Sequence, residues 1–327
     1  MSERSRIRMQ LPIDLAGAAA SVRQAADAAR LAAASDEPVL IVAEPGFSPE
    51  GIARAIHRSG PRAARPFLAI ECDSVDPLMA RLFGAARMSR SDYETVDRNG
   101  ALVRVGAGTI FFSGLGEMPA AVQLRLSRLL RDGEMRVGKS RAPVTFRLMA
   151  AALPGIDADV EEHRFRPELY RRLQRSRIDV PPLRDRTSDL PALIDALLTE
   201  TGRARGVSCL LAPAARTALA ALRWSGNLDE VRQVLARLIE RCRDGLIRQE
   251  DVLADLQEPQ GRLRRQPAPA SLRDARQTFE RQYIATVLEE YGWRMTEAAR
   301  ALGIERANLY RKTRQLGISR LKPSRAS

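Results

Sequence analysis

Lysine, histidine and cysteine are scarce in this chain. Three lysines (Lys139, Lys312, Lys322), two histidines (His57, His163) and three cysteines (Cys72, Cys209, Cys242) are scattered over 327 residues. Two imidazoles and no CxxC spacing are too little for a zinc cluster, so no metal is expected. An odd number of widely spaced cysteines does not make a disulfide framework, and a reducing, cytoplasmic setting is expected. Long apolar runs are lacking too. Leu15 to Val22, the longest uncharged stretch near the N-terminus, is too short to span a membrane. Asp14 before it and Arg23 after it do not suit a signal peptide, so no membrane partner is expected.

What is abundant is arginine. Fifty arginines set a formal net charge of +13. So one-sided a choice also follows from coding bias in an Arg- and Ala-rich proteome, so the total says little. Its distribution says more: from Pro259 to Ser327, fifteen Lys+Arg face six Asp+Glu, a net +9. Phosphate contact requires charge concentrated in this way. The length makes two domains the natural expectation.

The stretch from Arg294 to Ile318, RMTEAARALGIERANLYRKTRQLGI, reads as two short helices around a tight turn. Ala298, Ala299 and Leu302 share one face of the first helix, with Thr296 as its expected cap. Gly303 ends it, and Ile304 plugs the corner. The second helix, Arg306 to Leu316, turns Leu309 and Leu316 inward and presents Arg306, Asn308, Arg311, Lys312 and Arg314 outward. A helix-turn-helix offers such a helix to the DNA major groove; a solvated helical hairpin is the plainer reading. If double-stranded DNA is the partner, Arg306, Asn308 and Arg311 read base edges, with Glu305 available to a cytosine, while Arg294, Thr296, Lys312 and Arg314 hold phosphates.

Nearer the N-terminus, an alanine-rich helix over Ser21 to Ala34 precedes the apolar run Pro38 to Val42, which has the composition of a buried parallel strand. The loop AEPGFSPE and a helix over Gly51 to Ser59 follow. Strand, loop and helix are the setting of a phosphate-binding loop. The residues do not fit that chemistry. In a G-x-x-x-x-G-K frame the glycines become Ala43 and Ser48, the lysine becomes Pro49, and only Gly46 within the loop remains. Proline removes an N–H from the cradle, and Glu44 and Glu50 add negative charge. An ordinary strand-to-helix turn with Pro49 in the first helical position is the favoured reading.

These segments resemble one family. TEAARALGIERANLYRK resembles the C-terminal module of the Fis family and of NtrC-type (sigma-54-dependent) enhancer-binding proteins, with Thr313 where that module generally has leucine. VLIVAEPGFSPEGIARAIHRSG is similar to the Walker A region of the NtrC-type AAA+ domain, and GTIFFSGLGEMP to its Walker B text, GTLFLDEIGEMP. The resemblance implies a P-loop NTPase-like α/β fold with a helical lid. It also implies that the nucleotide-handling positions have changed together. Glu71 stands where a switch asparagine is expected. Ser113 and Gly114 replace the Mg²⁺-holding aspartate and the water-polarising glutamate. Asp229, in WSGNLDE, replaces an arginine that touches nucleotide. After Leu82-Phe83-Gly84 the text AARMSRSDYETVDRN has no GAFTGA, the family's sigma-54-contacting motif. Arg166 and Arg172, in FRPELYRRL, align with arginine fingers; opposite a stripped pocket they read as structural or interface residues.

The expected organisation is a short extension (1–20) with no room for a sensory domain, a degenerate AAA+ α/β subdomain (21–182) and an entirely helical lid (183–257). A Pro- and Arg-containing linker (258–271) and a Fis-type helix-turn-helix domain (272–327) complete it. The helix Leu272 to Tyr291, with Phe279, Tyr283, Ile284, Val287 and Leu288 apolar, either dimerises the module or packs on its own helix-turn-helix; ring assembly is left open. No cofactor and no catalytic residue is expected. The functional expectation is a DNA-binding transcription regulator without ATP turnover that contacts RNA polymerase or another regulator. The alternatives are a non-catalytic subunit of a mixed AAA+ complex, an ATPase with a non-standard pocket, or a receptor for a nucleotide-like messenger.

Overall fold

A computed structural model describes residues 9–72, 75–84 and 93–257 and, beyond them, 284, 287–288, 291, 293–302 and 306–315. The chain divides into two compact units, Met1–Gln257 and Glu258–Ser327.

The first unit is built on a five-stranded sheet. Its strands are β1 (Val39–Val42), β2 (Phe67–Glu71), β4 (Thr109–Ser113), β7 (Arg147–Ala152) and β8 (Ser176–Asp179), in the spatial order β2-β4-β7-β1-β8. All neighbouring pairs are parallel. The central strands read as unbroken apolar runs because both of their faces are covered. Alternation along β1 divides the two faces. Val39 and Ile41 pack with the alanines of α1 (Ala20–Ala33) and with Ile52, Ala53 and Ile56 of α2 (Pro49–Ser59). Leu40 and Val42 face the opposite layer, formed by α3 (Val75–Phe83), α5 (Ala120–Asp132) and α7 (Pro167–Leu173), with the short helices α4 (Ala101–Arg104) and α6 (Ile156–Glu161) adding Leu102 and Ile156. A smaller sheet, β3 (Thr95–Val96) with the antiparallel pair β5 (Glu134–Val137) and β6 (Ser140–Pro143), lies beside that layer.

The lid follows in the same unit. Its helices are α8 (Leu190–Arg205), α9 (Pro213–Ala220), α10 (Asn227–Arg241) and α11 (Gln249–Gln257), packed around a core that includes Ile194, Leu197, Leu235 and Leu238. The expectation of an entirely helical lid is corrected: Leu210–Leu211 (β9) and Leu246–Ile247 (β10) form a two-stranded parallel sheet. Runs of two residues are too short to show a period of two in the sequence. The fold also joins what the sequence holds apart. Cys209 is brought next to Cys242, and burial first, then the neighbouring Cys242 thiol, push the Cys209 thiol up to about 11.

In the second unit, Met295–Ala301 and Arg306–Gln315 are the two helices of the helix-turn-helix. Ala298, Ala299 and Leu309 form its core with Ile284, Val287 and Leu288. Gly303, Ile304, Glu305, Leu316, Phe279, Tyr283 and the 258–271 linker lie outside the described residues, as does 85–92 in the first unit.

Candidate functional site

Parallel strands bring the ends of β1, β2, β4, β7 and β8 to one edge of the sheet, where open α/β sheets bind their ligands. The loop after β1 sits on that edge. Ala43 is buried and continues the sheet, its N–H donating to the Ala152 carbonyl at 3.1 Å. Pro49 is the first residue of α2 and Ser48 its cap, with Oγ accepting from the Gly51 N–H at 3.3 Å. The expected strand-to-helix turn is therefore the turn observed.

The Ser48 N–H, placed where a cradle would offer a donor to phosphate, is already engaged. It donates to Oδ1 of Asp14 at 2.7 Å. Asp14 is 2% exposed, and burial pushes its carboxyl above the usual range despite the opposing Ser48 bond. Arg186, also buried, donates through Nη1 to the Asp14 carbonyl at 2.9 Å. Nothing local in PIDLAG announces a partner 34 residues away, so Asp14 is invisible to motif reading.

The loop is pinned to the lid as well. The Gly46 carbonyl accepts from the Asp229 N–H at 3.0 Å. Gly46 has φ +91°, and a Cβ there would lie 1.9 Å from the Gly226 carbonyl oxygen, so only glycine permits this approach. Phe47 packs into both the lid core and the α1–α2 core. Asn227, 1% exposed and left-handed at φ 52°, joins three segments. Its Oδ1 accepts from the Leu183 N–H at 3.0 Å, and its Nδ2 donates to the Pro45 carbonyl at 2.9 Å and to Glu44 at 3.3 Å. Arg184 closes the cluster with two bonds to the Glu44 carboxylate, 2.8 and 2.6 Å, and holds that carboxyl below its usual range. Asn227, Arg184 and Arg186 were not singled out from sequence, because their partners lie 140 to 183 residues away along the chain, or 44 for Leu183.

The remaining altered positions keep to the same edge. Glu71 pairs in register with Ser113 across β2 and β4, and Gly114 follows in a left-handed conformation at φ 68°. Glu50 ion-pairs with Arg54 one turn along α2 at 2.7 Å. The Asp229 carboxylate accepts from Gln233 at 2.8 Å, within its own helix. Arg166 and Arg172 do not approach this edge cluster through any hydrogen bond among the described residues; they line a separate groove beside α5.

In the helix-turn-helix, Thr296 is not the cap. Arg294 occupies that position without a side-chain cap bond, and Thr296 lies inside the first helix. The Arg294 side chain pairs with Glu297 at 3.1 Å. Arg306, Asn308, Arg311, Lys312 and Arg314 all fall on the second helix, Arg306 exposed and Asn308 and Lys312 half-buried. Thr313 is buried in the position where leucine was expected.

Three family models match the chain: the Sigma-54 interaction domain over residues 15–179, the AAA+ ATPase lid domain over 184–268, and the Bacterial regulatory protein, Fis family, over 275–316. Among curated proteins, it is 36% identical to the acetoin catabolism regulatory protein of Cupriavidus necator, covering 92% of this chain and 46% of that one. It is 34% identical to the DNA-binding transcriptional regulator NtrC of Salmonella typhimurium, covering 86% and 65%. The chain thus spans about half to two thirds of the length of such relatives. Among solved structures, NtrX from Brucella abortus matches with a TM-score of 0.62 at 26% identity, covering 93% of this chain and 70% of that one.

Proposed function

The chain belongs to the NtrC-type family of the sigma-54 interaction domain, and we propose that it is a sequence-specific DNA-binding regulator of transcription that does not hydrolyse ATP. The observation that carries the second half is the bond between Asp14 and the Ser48 amide. A phosphate-binding loop works because its free N–H groups converge on an anion and a lysine reaches the outer phosphates. Here a donor is occupied by the chain's own carboxylate, Pro49 has no N–H, and Ala43 to Glu50 contains no cation. Ser113 and Gly114 supply no carboxylate for Mg²⁺ or water. Phosphoryl transfer depends on electrostatic stabilisation of the transferring group, and those terms are missing together.

In this reading the first unit serves as a rigid body for assembly and for contact with RNA polymerase or another regulator. The Fis-type module selects the site on double-stranded DNA, as a homodimer in the cytoplasm. Sigma-54 contact through a GAFTGA loop is not part of the proposal, since the text from Ala85 to Asn99 lacks that motif.

One observation favours a second reading, an ATPase with a rebuilt pocket: the Glu71 carboxylate ends the strand beside Ser113 and could stand in for a lost acid. Turnover separates the two. Genome-wide binding mapped with the helix-turn-helix intact and deleted tests the DNA-directed half; if both maps are alike, the regulator reading fails.

A further inference from the structure

The lid brings two of the three cysteines together at the start of its small sheet. The Leu210 N–H donates to the Gly245 carbonyl at 2.8 Å, which sets Cys209, just before β9, beside the turn that follows α10. A Cβ on Gly245 would lie 3.7 Å from the Ser208 carbonyl oxygen, so the two segments run in van der Waals contact. Cys242 ends α10 at the start of that turn, its N–H donating to the Leu238 carbonyl at 3.0 Å. Cys209 belongs to the lid core and Cys242 packs against the same core, and both thiols are free. The two sulfurs differ in access. Cys209 is buried, and burial holds its thiol in the protonated form. Cys242 is half-buried, between the exposed Arg241 and Arg243. The carboxylate of Asp244 is engaged by Arg248 at 2.6 Å. Partial exposure and a basic flank mark the cysteine that an oxidant meets first, and the buried neighbour is the one that resolves it.

We propose that Cys242 and Cys209 form a reversible oxidation site, at which a peroxide converts the pair to a disulfide that braces the lid. The peroxide transfers one oxygen to the Cys242 sulfur, which is oxidised to a sulfenic acid while the peroxide is reduced to water. The Cys209 sulfur then forms the S–S bond, the S–O bond breaks, and the Cys209 proton leaves with the hydroxide as a second water. A dithiol reverses the step by exchange. In a reducing compartment such bonds are transient and regulatory rather than structural. The bond closes a loop that contains Gly226, Asn227 and Asp229, the lid residues against which Glu44 to Gly46 are held. Oxidation thereby stiffens the joint between sheet and lid. The site stands whether or not the chain regulates transcription.

The test is a mass map of the full chain treated with hydrogen peroxide, quenched, and alkylated with iodoacetamide in denaturant. Untreated chain takes three alkyl groups. Treated chain is expected to take one, on Cys72, with the Cys209 and Cys242 peptides joined. Dithiothreitol should restore all three. Cys209→Ser should leave a sulfenic acid on Cys242 that dimedone captures, whereas Cys242→Ser should leave Cys209 unoxidised at the same dose. The disulfide should raise Tm by about 5–10 °C, an effect absent in both variants. Three alkyl groups after treatment, Cys242 carried to sulfinic acid with Cys209 still free, or a link that forms only between chains, overturns the site. A disulfide that leaves Tm unchanged overturns the brace. Since the mass map is read on the unaltered chain, a variant that folds poorly does not decide the outcome.

Discussion

Replacing Asn227 with alanine tests whether the loop after β1 acts as a joint between sheet and lid. The side chain makes bonds of 3.0, 2.9 and 3.3 Å to Leu183, Pro45 and Glu44. Alanine leaves the buried Leu183 N–H without its acceptor, which costs about 1–3 kcal/mol. The Pro45 carbonyl loses its donor as well, and a left-handed backbone at φ 52° without a polar side chain adds about 1 kcal/mol. The total is about 3–4 kcal/mol, or a fall in Tm of about 10 °C for a unit of this size. Asn227→Gly removes the same bonds but accepts the backbone, so it should be milder by about 1 kcal/mol. Urea unfolding followed by circular dichroism gives both values, and the fluorescence of Trp224, buried three residues away, reports on the joint itself. Variants that melt with wild type, or a glycine variant less stable than the alanine one, would refute this reasoning.

Asp14 carries a pH prediction. Its folded pKa is raised, so ionisation costs stability at neutral pH and that cost disappears as pH falls through the folded pKa. Asp14→Asn retains an acceptor for Ser48 without the charge; it should be at least as stable as wild type at pH 7, with its advantage shrinking on acidification in a series of thermal melts. Arg125 is buried, 2.9 Å from Glu94, with its guanidinium over the Phe83 ring at 3.8 Å. Arg125→Ala leaves the buried Glu94 carboxylate with only the 3.7 Å approach of Arg128 and should cost about 3 kcal/mol in urea unfolding, and adding Glu94→Gln should recover a large part of it. In the Fis-type module, Arg306→Ala should relax sequence choice, whereas Lys312→Ala should weaken all sites alike and lower the salt slope by about 1; binding-site selection and salt titrations distinguish the two.

The first strand was legible because buried parallel strands need continuous apolar residues, as Val39–Val42 has; Thr109–Ser113 was legible through the family resemblance of GTIFFSGLGEMP. Pro49 was legible as the start of α2, since a fixed φ and a missing N–H suit only the first helical turn. The substituted positions of the motifs were also readable, residue by residue. The contacts their replacements make were not. Asp14 on Ser48, Arg184 on Glu44 and Asn227 on Leu183 join segments far apart in the chain. Tertiary hydrogen bonds of this kind leave no period and no local spacing. Thr296 misled for a related reason: a threonine near a helix start is a good cap only if the backbone begins to turn after it, and here the helix has already begun at Met295.

The central claim is that the nucleotide edge of the sheet is chemically silent. Phosphate release by the purified full chain, measured with ATP and Mg²⁺ across a range of protein concentrations high enough to allow assembly, addresses it directly. The account predicts release no faster than the protein-free control at every concentration. Turnover that rises with protein self-assembly, and is lost in Glu71→Gln, would contradict it and establish a rebuilt ATPase in its place.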